Sequence, residues 1–326
     1  MGPIHREDAA SGPRRSPRAA PIRLAMIGLG KIARDRHLPA IDACDDVTLV
    51  ATASPGDRLA DVPGYDDIAA LLAAGHSIDA VAICTPPGVR CAIASAAVAA
   101  GCHVLLEKPP GATLGEAQAL AADAHAAGRT LFASWHSREA AGVDAAREWL
   151  TGKRVWRVAV RWQEDIRVWH PGQHWILRAD GFGGFDPGIN ALSILTAILP
   201  GRYAVAAATL DIPQNHGAPI AAMIDMRIDG QVPVSVALDF LAPGKPAWEI
   251  EVDCAEGKLR LVDGGARLLI DGAVVTTGEN VEYRRLYRHF AELVRSGDSD
   301  VDLQPLALVA DALMIGTRRP VAPFDF

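Results

Sequence analysis

The run Gly28-Leu29-Gly30-Lys31-Ile32-Ala33 stands between two segments of opposite periodicity, and this junction most constrains the fold. Ahead of it, Ile22 to Ile27 is a short apolar stretch of strand length. Behind it, from Lys31 on, Ile32, Ala33, Leu38, Ala40 and Ile41 recur at helical spacing. A glycine-rich turn between strand and helix lets backbone N–H groups at the helix start approach a pyrophosphate closely. Gly28 permits the tight turn, Gly30 admits the phosphate, and Ala33 occupies the position of a third glycine. The junction predicts a dinucleotide-binding unit, with Lys31 and Ile32 beside the cofactor.

The chain after this point alternates. Strands are predicted at 47–53, 79–84, 103–106 and 130–134, and helices at 67–74, 89–100 and 114–127. Short, nearly continuous apolar strands separated by helices predict a Rossmann-type, doubly wound parallel sheet, placed at residues 21–138. From about residue 140 the pattern changes. In 155–164 the side chains alternate, with Trp156, Val158, Val160, Trp162 and Glu164 on one face and Arg157, Ala159, Arg161 and Gln163 on the other. Further strands are predicted at 204–210, 221–228, 232–240, 248–254 and 258–262, interrupted by helices at 187–199 and 281–295. The expectation for 139–326 is an α+β domain that binds substrate and oligomerises, built on a large, open-faced, mainly antiparallel sheet. The overall class is α/β, and the open face predicts a homodimer or higher homo-oligomer.

At 326 residues with 50% hydrophobic content, the chain has core enough for two such domains. It has no apolar run of membrane-spanning length, so no membrane partner is expected. The net charge of −7 gives no reason to expect nucleic acid. The five cysteines lack Cys-x-x-Cys spacing, and three lie in apolar runs, which fits buried thiols in a reducing, cytoplasmic setting. No metal site is expected. His170 and His174 are four apart, but Pro171 and Gly172 between them argue against a shared helical face. Residues 1–20 carry Arg6, Arg14, Arg15 and Arg18 with three prolines and no apolar stretch, and read as a disordered basic tail.

The chemistry is expected to centre on Glu107-Lys108-Pro109-Pro110, at the carboxyl end of a parallel strand, where ligands of such sheets bind. Pro109 is a candidate for a cis bond. Asp186 and Asn190 are four apart, hence on one helical face. Asp186 before Pro187 also reads as an N-cap and N1 pair, a purely structural alternative. The loop with Trp169, His170, Gln173, His174 and Trp175 combines polar groups with aromatic faces suited to sugars, with a packed loop of satisfied histidines as the structural alternative. Glu164 at the rim of the sheet, and His136 after a nucleotide-domain strand, are further cleft candidates.

The ordered motifs, Gly-x-Gly-x-x-Ala, then Thr85-Pro86-Pro87, then Glu107-Lys108-Pro109, followed by an α+β half, resemble those of the Gfo/Idh/MocA oxidoreductases. Within that family the longer motifs from Gly30 to Asp35, Glu107 to Leu114, Trp169 to Gln173 and Phe185 to Leu192 are most similar to bacterial aldose 1-dehydrogenases acting on L-arabinose and D-galactose. The resemblance implies oxidation of a pyranose, an aldose such as L-arabinose, D-galactose or D-fucose, at C1 to the lactone, with hydride passing to NAD or NADP. It implies that Thr85, Pro86, Pro87, Glu107 and Lys108 help hold the cofactor. It also implies that Glu164, His170 and Trp169 contact sugar or nicotinamide, and that Trp248 closes the pocket. Many members of the wider family have a histidine where this chain has Asn190, and asparagine is no base. The proton then falls to Lys108 or Asp186. At the tip of the second strand, Thr52-Ala53-Ser54-Pro55-Gly56-Asp57-Arg58 offers Ser54 and Arg58 to a 2′-phosphate and Asp57 to a ribose diol, so both cofactors are expected. A polyol or inositol dehydrogenase, or a non-catalytic nicotinamide-binding regulator, are the alternatives.

Overall fold

The computed structural model describes residues 20–279 and 281–326, so the predicted basic tail lies outside the described residues except for Ala20. Two sheets organise the chain. The first has six parallel strands in the order β3-β2-β1-β4-β5-β6. These are β1 (Ile22–Ile27), β2 (Val47–Ala53), β3 (Gly64–Tyr65), β4 (Ala80–Ile83), β5 (His103–Glu107) and β6 (Leu131–Ser134). The order reverses between β1 and β4, and this is where a crevice opens at the carboxyl ends of the strands. The Gly-rich turn leads from β1 into a helix whose middle, Ala33–His37, is π-helical, before it continues as α1 (Leu38–Asp42). The parallel, doubly covered sheet expected from the apolar runs is thus present.

One face of this sheet is covered by α2 (Ile68–Ala73), α3 (Pro87–Ala99) and α4 (Leu114–Ala126), through Leu71, Ala94, Val98 and Leu120. The other face is covered partly from far along the sequence. Tyr283, Leu286, Tyr287 and Phe290 of a late helix, α8 (Glu282–Ser296), pack on Leu24, Met26 and Phe132. Between them come α5 (Val143–Leu150), a short α6 (Ile166–Trp169) and α7 (Phe185–Ile198). After α8 comes α9 (Gln304–Ile315), an apolar helix beyond those expected from the sequence.

The second sheet has nine strands in the order β14-β13-β12-β11-β7-β10-β9-β8-β15. They are β7 (Val155–Gln163), β8 (Tyr203–Pro213), β9 (Ala221–Ile228), β10 (Val232–Asp239), β11 (Ala247–Cys254), β12 (Gly257–Val262), β13 (Arg267–Ile270), β14 (Ala273–Thr277) and β15 (Thr317–Val321). Only β7 with β10 and β8 with β15 are parallel. Phe185, Ile189, Leu192 and Leu195 of α7, with Leu306 and Val309 of α9, cover one face, meeting Val158, Val160, Val236 and Leu238. The opposite face carries cross-strand ion pairs, among them Arg157 with Asp253 (2.5 Å) and Arg161 with Glu249 (2.6 Å).

Trp156 departs from the expected alternation. The register of β7 against β11 skips it, with Asp253 opposite Arg157 but Cys254 opposite Val155. This bulge turns Trp156 away from the core and leaves it 57% exposed. All five cysteines are free, with Cys84, Cys102 and Cys254 buried. Among the described residues no helix is long and apolar enough to cross a membrane.

Candidate active site

A cavity of about 610 Å³ opens where the carboxyl ends of the first sheet meet the rim of the second. The nucleotide side contributes Gly30, Lys31 and Ile32 from the turn and Thr85, Pro86 and Pro87 from the end of β4. It also contributes Glu107 and Lys108 from the end of β5, and His136 after β6. From the other side come Trp162, Glu164, Trp169, His170, Gln173, Trp175, Asp186, Asn190 and Trp248. His174 is not part of this lining. Its ring packs instead on Phe326 at 4.6 Å.

Lys108 and Asp186 meet. The Lys108 ammonium donates to the Asp186 carbonyl at 2.9 Å and to its carboxylate Oδ1 at 3.3 Å, and both side chains are largely buried. The Lys108–Pro109 bond is cis. The helix carrying Asp186 begins earlier than the sequence predicted. Gly184 is the N-cap of α7 and Asp186 lies inside the first turn, with no side-chain capping bond. The capping alternative for Asp186 is therefore set aside, because its carboxylate turns to Lys108. Asn190, one turn on, faces the same cavity.

Beneath Lys108, Glu107 is almost fully buried and surrounded by donors. Its Oε1 accepts from His37 Nε2 (2.9 Å) and the Tyr283 hydroxyl (2.7 Å), and its Oε2 accepts from the Lys108 backbone N–H (2.9 Å). The other ring nitrogen of His37 is 2.7 Å from the Tyr287 hydroxyl. Burial, the strongest influence on Glu107, pushes its carboxyl up. The hydrogen bond and charge of His37, with the charge of Lys108, outweigh it and hold the carboxyl far below the usual range. Burial likewise pulls His37 down, but the neighbouring Cys84 and Tyr287 and the hydrogen bond it donates to the Glu107 carboxylate raise it well above its usual value. Glu107 thus fixes the backbone that carries Lys108, with its carboxylate committed to protein donors.

Arg90 of α3 is also buried and ties the same loops together. It donates to the carbonyls of Thr85, Pro109 and Glu107, the last at 2.7 Å. His37, Arg90, Tyr283 and Tyr287 were not anticipated from the sequence. The signal available was the pair of tyrosines four apart within an apolar helical stripe, since buried hydroxyls need partners.

The opposite wall is aromatic. Trp162 and Trp248 face each other directly in the β7–β11 register and stack at 6.2 Å, and Trp169 meets Trp248 edge-on at 4.8 Å. Glu164 organises this wall. Its Oε2 accepts from Trp248 Nε1 (2.7 Å) and its Oε1 is 3.0 Å from His170 Nε2.

The turn fits a dinucleotide. Gly28 has φ of +90°, and a Cβ there would come within 3.2 Å of the Cys84 and Thr85 backbone, so only glycine suits it. Nothing lies within 4 Å of the Cβ position of Gly30, leaving the approach clear. Thr85 Oγ1, beside the cavity, is buried without a protein partner. At the end of β2, outside the cavity lining, Ser54 Oγ accepts from the Leu29 N–H (3.3 Å), and Arg58 donates to Ser54 O (2.8 Å) and Asp66 (2.7 Å). Arg34, unanticipated there, pairs with Asp57 at 2.6 Å. Among the described residues no three His, Cys, Asp or Glu side chains gather as a metal-holding group.

Residues 22–134 match the Gfo/Idh/MocA family, described as an oxidoreductase family with an NAD-binding Rossmann fold. A galactose 1-dehydrogenase of Pseudomonas fluorescens is 45% identical over 316 residues, 93% of this chain and 99% of that one. The chain belongs to the Gfo/Idh/MocA family. It is accordingly an oxidoreductase that uses NAD or NADP. Among solved structures, a D-galactose-1-dehydrogenase protein from Rhizobium etli is 48% identical, with a TM-score of 0.91 over 95% of this chain and 100% of that one. A 3-ketoreductase from Actinomadura kijaniata, solved with NADP and TDP-benzene, has a TM-score of 0.80 over 92% and 99% of the two chains. At 19% identity it shares the fold alone.

Proposed function

We propose that this family member oxidises an aldopyranose at C1 to the aldonolactone, with D-galactose first among its substrates and L-arabinose and D-fucose accepted by the same pocket. The observation that carries this reading is the meeting of Lys108 and Asp186, with Asn190 one turn away, opposite a wall of three tryptophans. The 45% identity to a galactose 1-dehydrogenase supports the choice of sugar. D-Galactose and L-arabinose share configuration at C2 to C4, and D-fucose differs from galactose only beyond C5.

When bound, the nicotinamide accepts the hydride that leaves C1. The C1 hydroxyl must lose its proton as that C–H bond breaks, and a C=O bond forms in its place. Lys108 and Asp186 form a coupled pair for that proton, and Asn190 orients the hydroxyl. Lys108 also sets a positive charge beside the developing alkoxide. The tryptophan wall offers flat apolar faces to the C–H side of the ring and narrows the access of water. Gly28 and Gly30 would receive the pyrophosphate, and Arg34 and Arg58 near Ser54 favour a 2′-phosphate, while Ser54 and Asp57 also suit a ribose diol.

A spectrophotometric screen of pentoses and hexoses with each cofactor tests the reading. Reduction of NAD or NADP is expected with D-galactose, L-arabinose and D-fucose, and weakly or not with myo-inositol. Cofactor binding without turnover of any aldose would discard the reading and favour a regulator. We also propose that the open face of the nine-stranded sheet, where Trp156 and Met223 lie exposed among cross-strand ion pairs, seats a second copy of the chain. Light scattering after size exclusion is expected to give at least twice the chain mass, and Trp156→Glu to lower it. A monomer at micromolar concentration would overturn this.

A further inference from the structure

The first turn of α8 reaches into the cavity from a part of the chain that the nucleotide and sugar motifs do not include. Tyr283 serves Glu107, as described above. Its neighbour Glu282 also lines the cavity, and its Oε2 lies 2.7 Å from Nδ1 of His136. The His136 ring stacks nearly parallel on Tyr283, with centroids 5.2 Å apart and an interplanar angle of 19°. The imidazole is thus held on its face by an aromatic ring and on one edge by a carboxylate.

Two facts about imidazole then decide what it can do. A carboxylate accepts and cannot donate, so the proton of a neutral His136 resides on Nδ1. The other nitrogen, Nε2, is left as a lone-pair acceptor, and among the described residues it has no hydrogen-bond partner. The ring lines the cavity and its side chain is 16% exposed. Lysine, arginine and the tryptophan N–H can only donate, whereas a sugar hydroxyl needs both donors and acceptors around it. Across the cavity, both oxygens of Glu164 already have protein partners, and Asp186 faces Lys108. His136 Nε2 is therefore an acceptor in this cavity that no protein group occupies.

We propose that Glu282 is a positioning residue for sugar recognition: it fixes the His136 tautomer so that Nε2 accepts a hydrogen bond from a ring hydroxyl of the aldose away from C1. This rests on the reading of the cavity as an aldose site. The contact is made in the ground state and kept through the reaction, so it contributes to KM and little to kcat.

The test compares Glu282→Ala, Glu282→Gln, His136→Phe and the double variant His136→Phe/Glu282→Ala with the parent, using D-galactose and saturating cofactor. Phenylalanine keeps the stacking on Tyr283 while removing both nitrogens. For Glu282→Ala and His136→Phe the KM for galactose is expected to rise about tenfold, the effect of one hydrogen bond, with kcat within about twofold and the cofactor KM unchanged. The double variant is expected to match His136→Phe alone, because Glu282 acts through that ring. Glu282→Gln, which still offers an acceptor to Nδ1–H, is expected to recover most of the affinity. Quenching of tryptophan fluorescence by galactose reads the same comparison as a Kd. It therefore separates this inference from the proposed activity, because binding is measured even where nothing is turned over. An unchanged galactose affinity in His136→Phe, losses that add in the double variant, or an effect confined to the cofactor KM would each overturn the assignment.

Discussion

Replacing Lys108 with methionine is expected to lower kcat by on the order of a thousandfold, with nicotinamide binding close to that of the parent. The size of the effect follows from the site. Lys108 Nζ lies within 3.3 Å of both Asp186 oxygen atoms that face it, in a position where its side chain is 14% exposed. Methionine keeps the length and the apolar stem but has no proton to move and no charge to offer an alkoxide. The backbone of residue 108 is fixed independently, through its N–H to Glu107, so the loop should keep its shape. Single-turnover absorbance at 340 nm measures the chemical step, and quenching of protein fluorescence by the cofactor measures binding. Turnover within about tenfold of the parent would remove Lys108 from the proton path, leaving Asp186 alone.

The second large effect is on stability and its pH dependence. Glu107→Leu is expected to cost about 3–5 kcal/mol, because it strands a buried histidinium together with a tyrosine hydroxyl and a backbone N–H. In a chain of this size that corresponds to a fall in Tm of roughly 10 °C. The pH profile separates the charge from the packing. Glu107 titrates below its ordinary value of 4.5 in the folded protein. Its contribution is complete above that pH and is lost as the pH falls through the lower folded value. His37 titrates above its ordinary 6.5, so its contribution is complete below 6.5 and is lost as the pH rises through the folded value. The pair therefore stabilises most between about 4.5 and 6.5 and less on either side. Glu107→Gln keeps the shape and removes the charge, and is expected to flatten the acid slope. Thermal melts from pH 3.5 to 8 check this, and a Glu107→Gln profile parallel to the parent's would refute the ion pair.

What could be read in advance and what could not divides along physical lines. The strand–turn–helix at Gly28, the alternation of β1 to β6, and the placement of Lys108 at a strand end all rest on local periodicity, which a sequence displays directly. The i, i+4 spacing of Asp186 and Asn190 was equally visible, although the helix start was misjudged by two residues because Asp-Pro imitates a cap. The exposure of Trp156 was hidden because a bulge depends on the partner strand and leaves no mark in the alternation itself. β15, reading Thr317 to Val321 with two arginines and a proline, has an edge strand's polarity and no apolar alternation to mark it. The partners of Glu107 were illegible for a different reason. His37 is 70 residues before it and Tyr283 is 176 after it, and only the closed fold brings them together. Each looks, in sequence, like an ordinary residue of an amphipathic helix.

The crossing of α8 has a consequence for how the chain is made. Leu24, Met26 and Phe132 emerge from the ribosome some 150 residues or more before the helix that covers them. A nascent chain can pair all six strands of the first sheet and still expose that apolar face to solvent throughout synthesis of β7 to β14. Premature termination anywhere before residue 282 is therefore expected to yield a sticky, chaperone-bound fragment rather than a free nucleotide-binding domain.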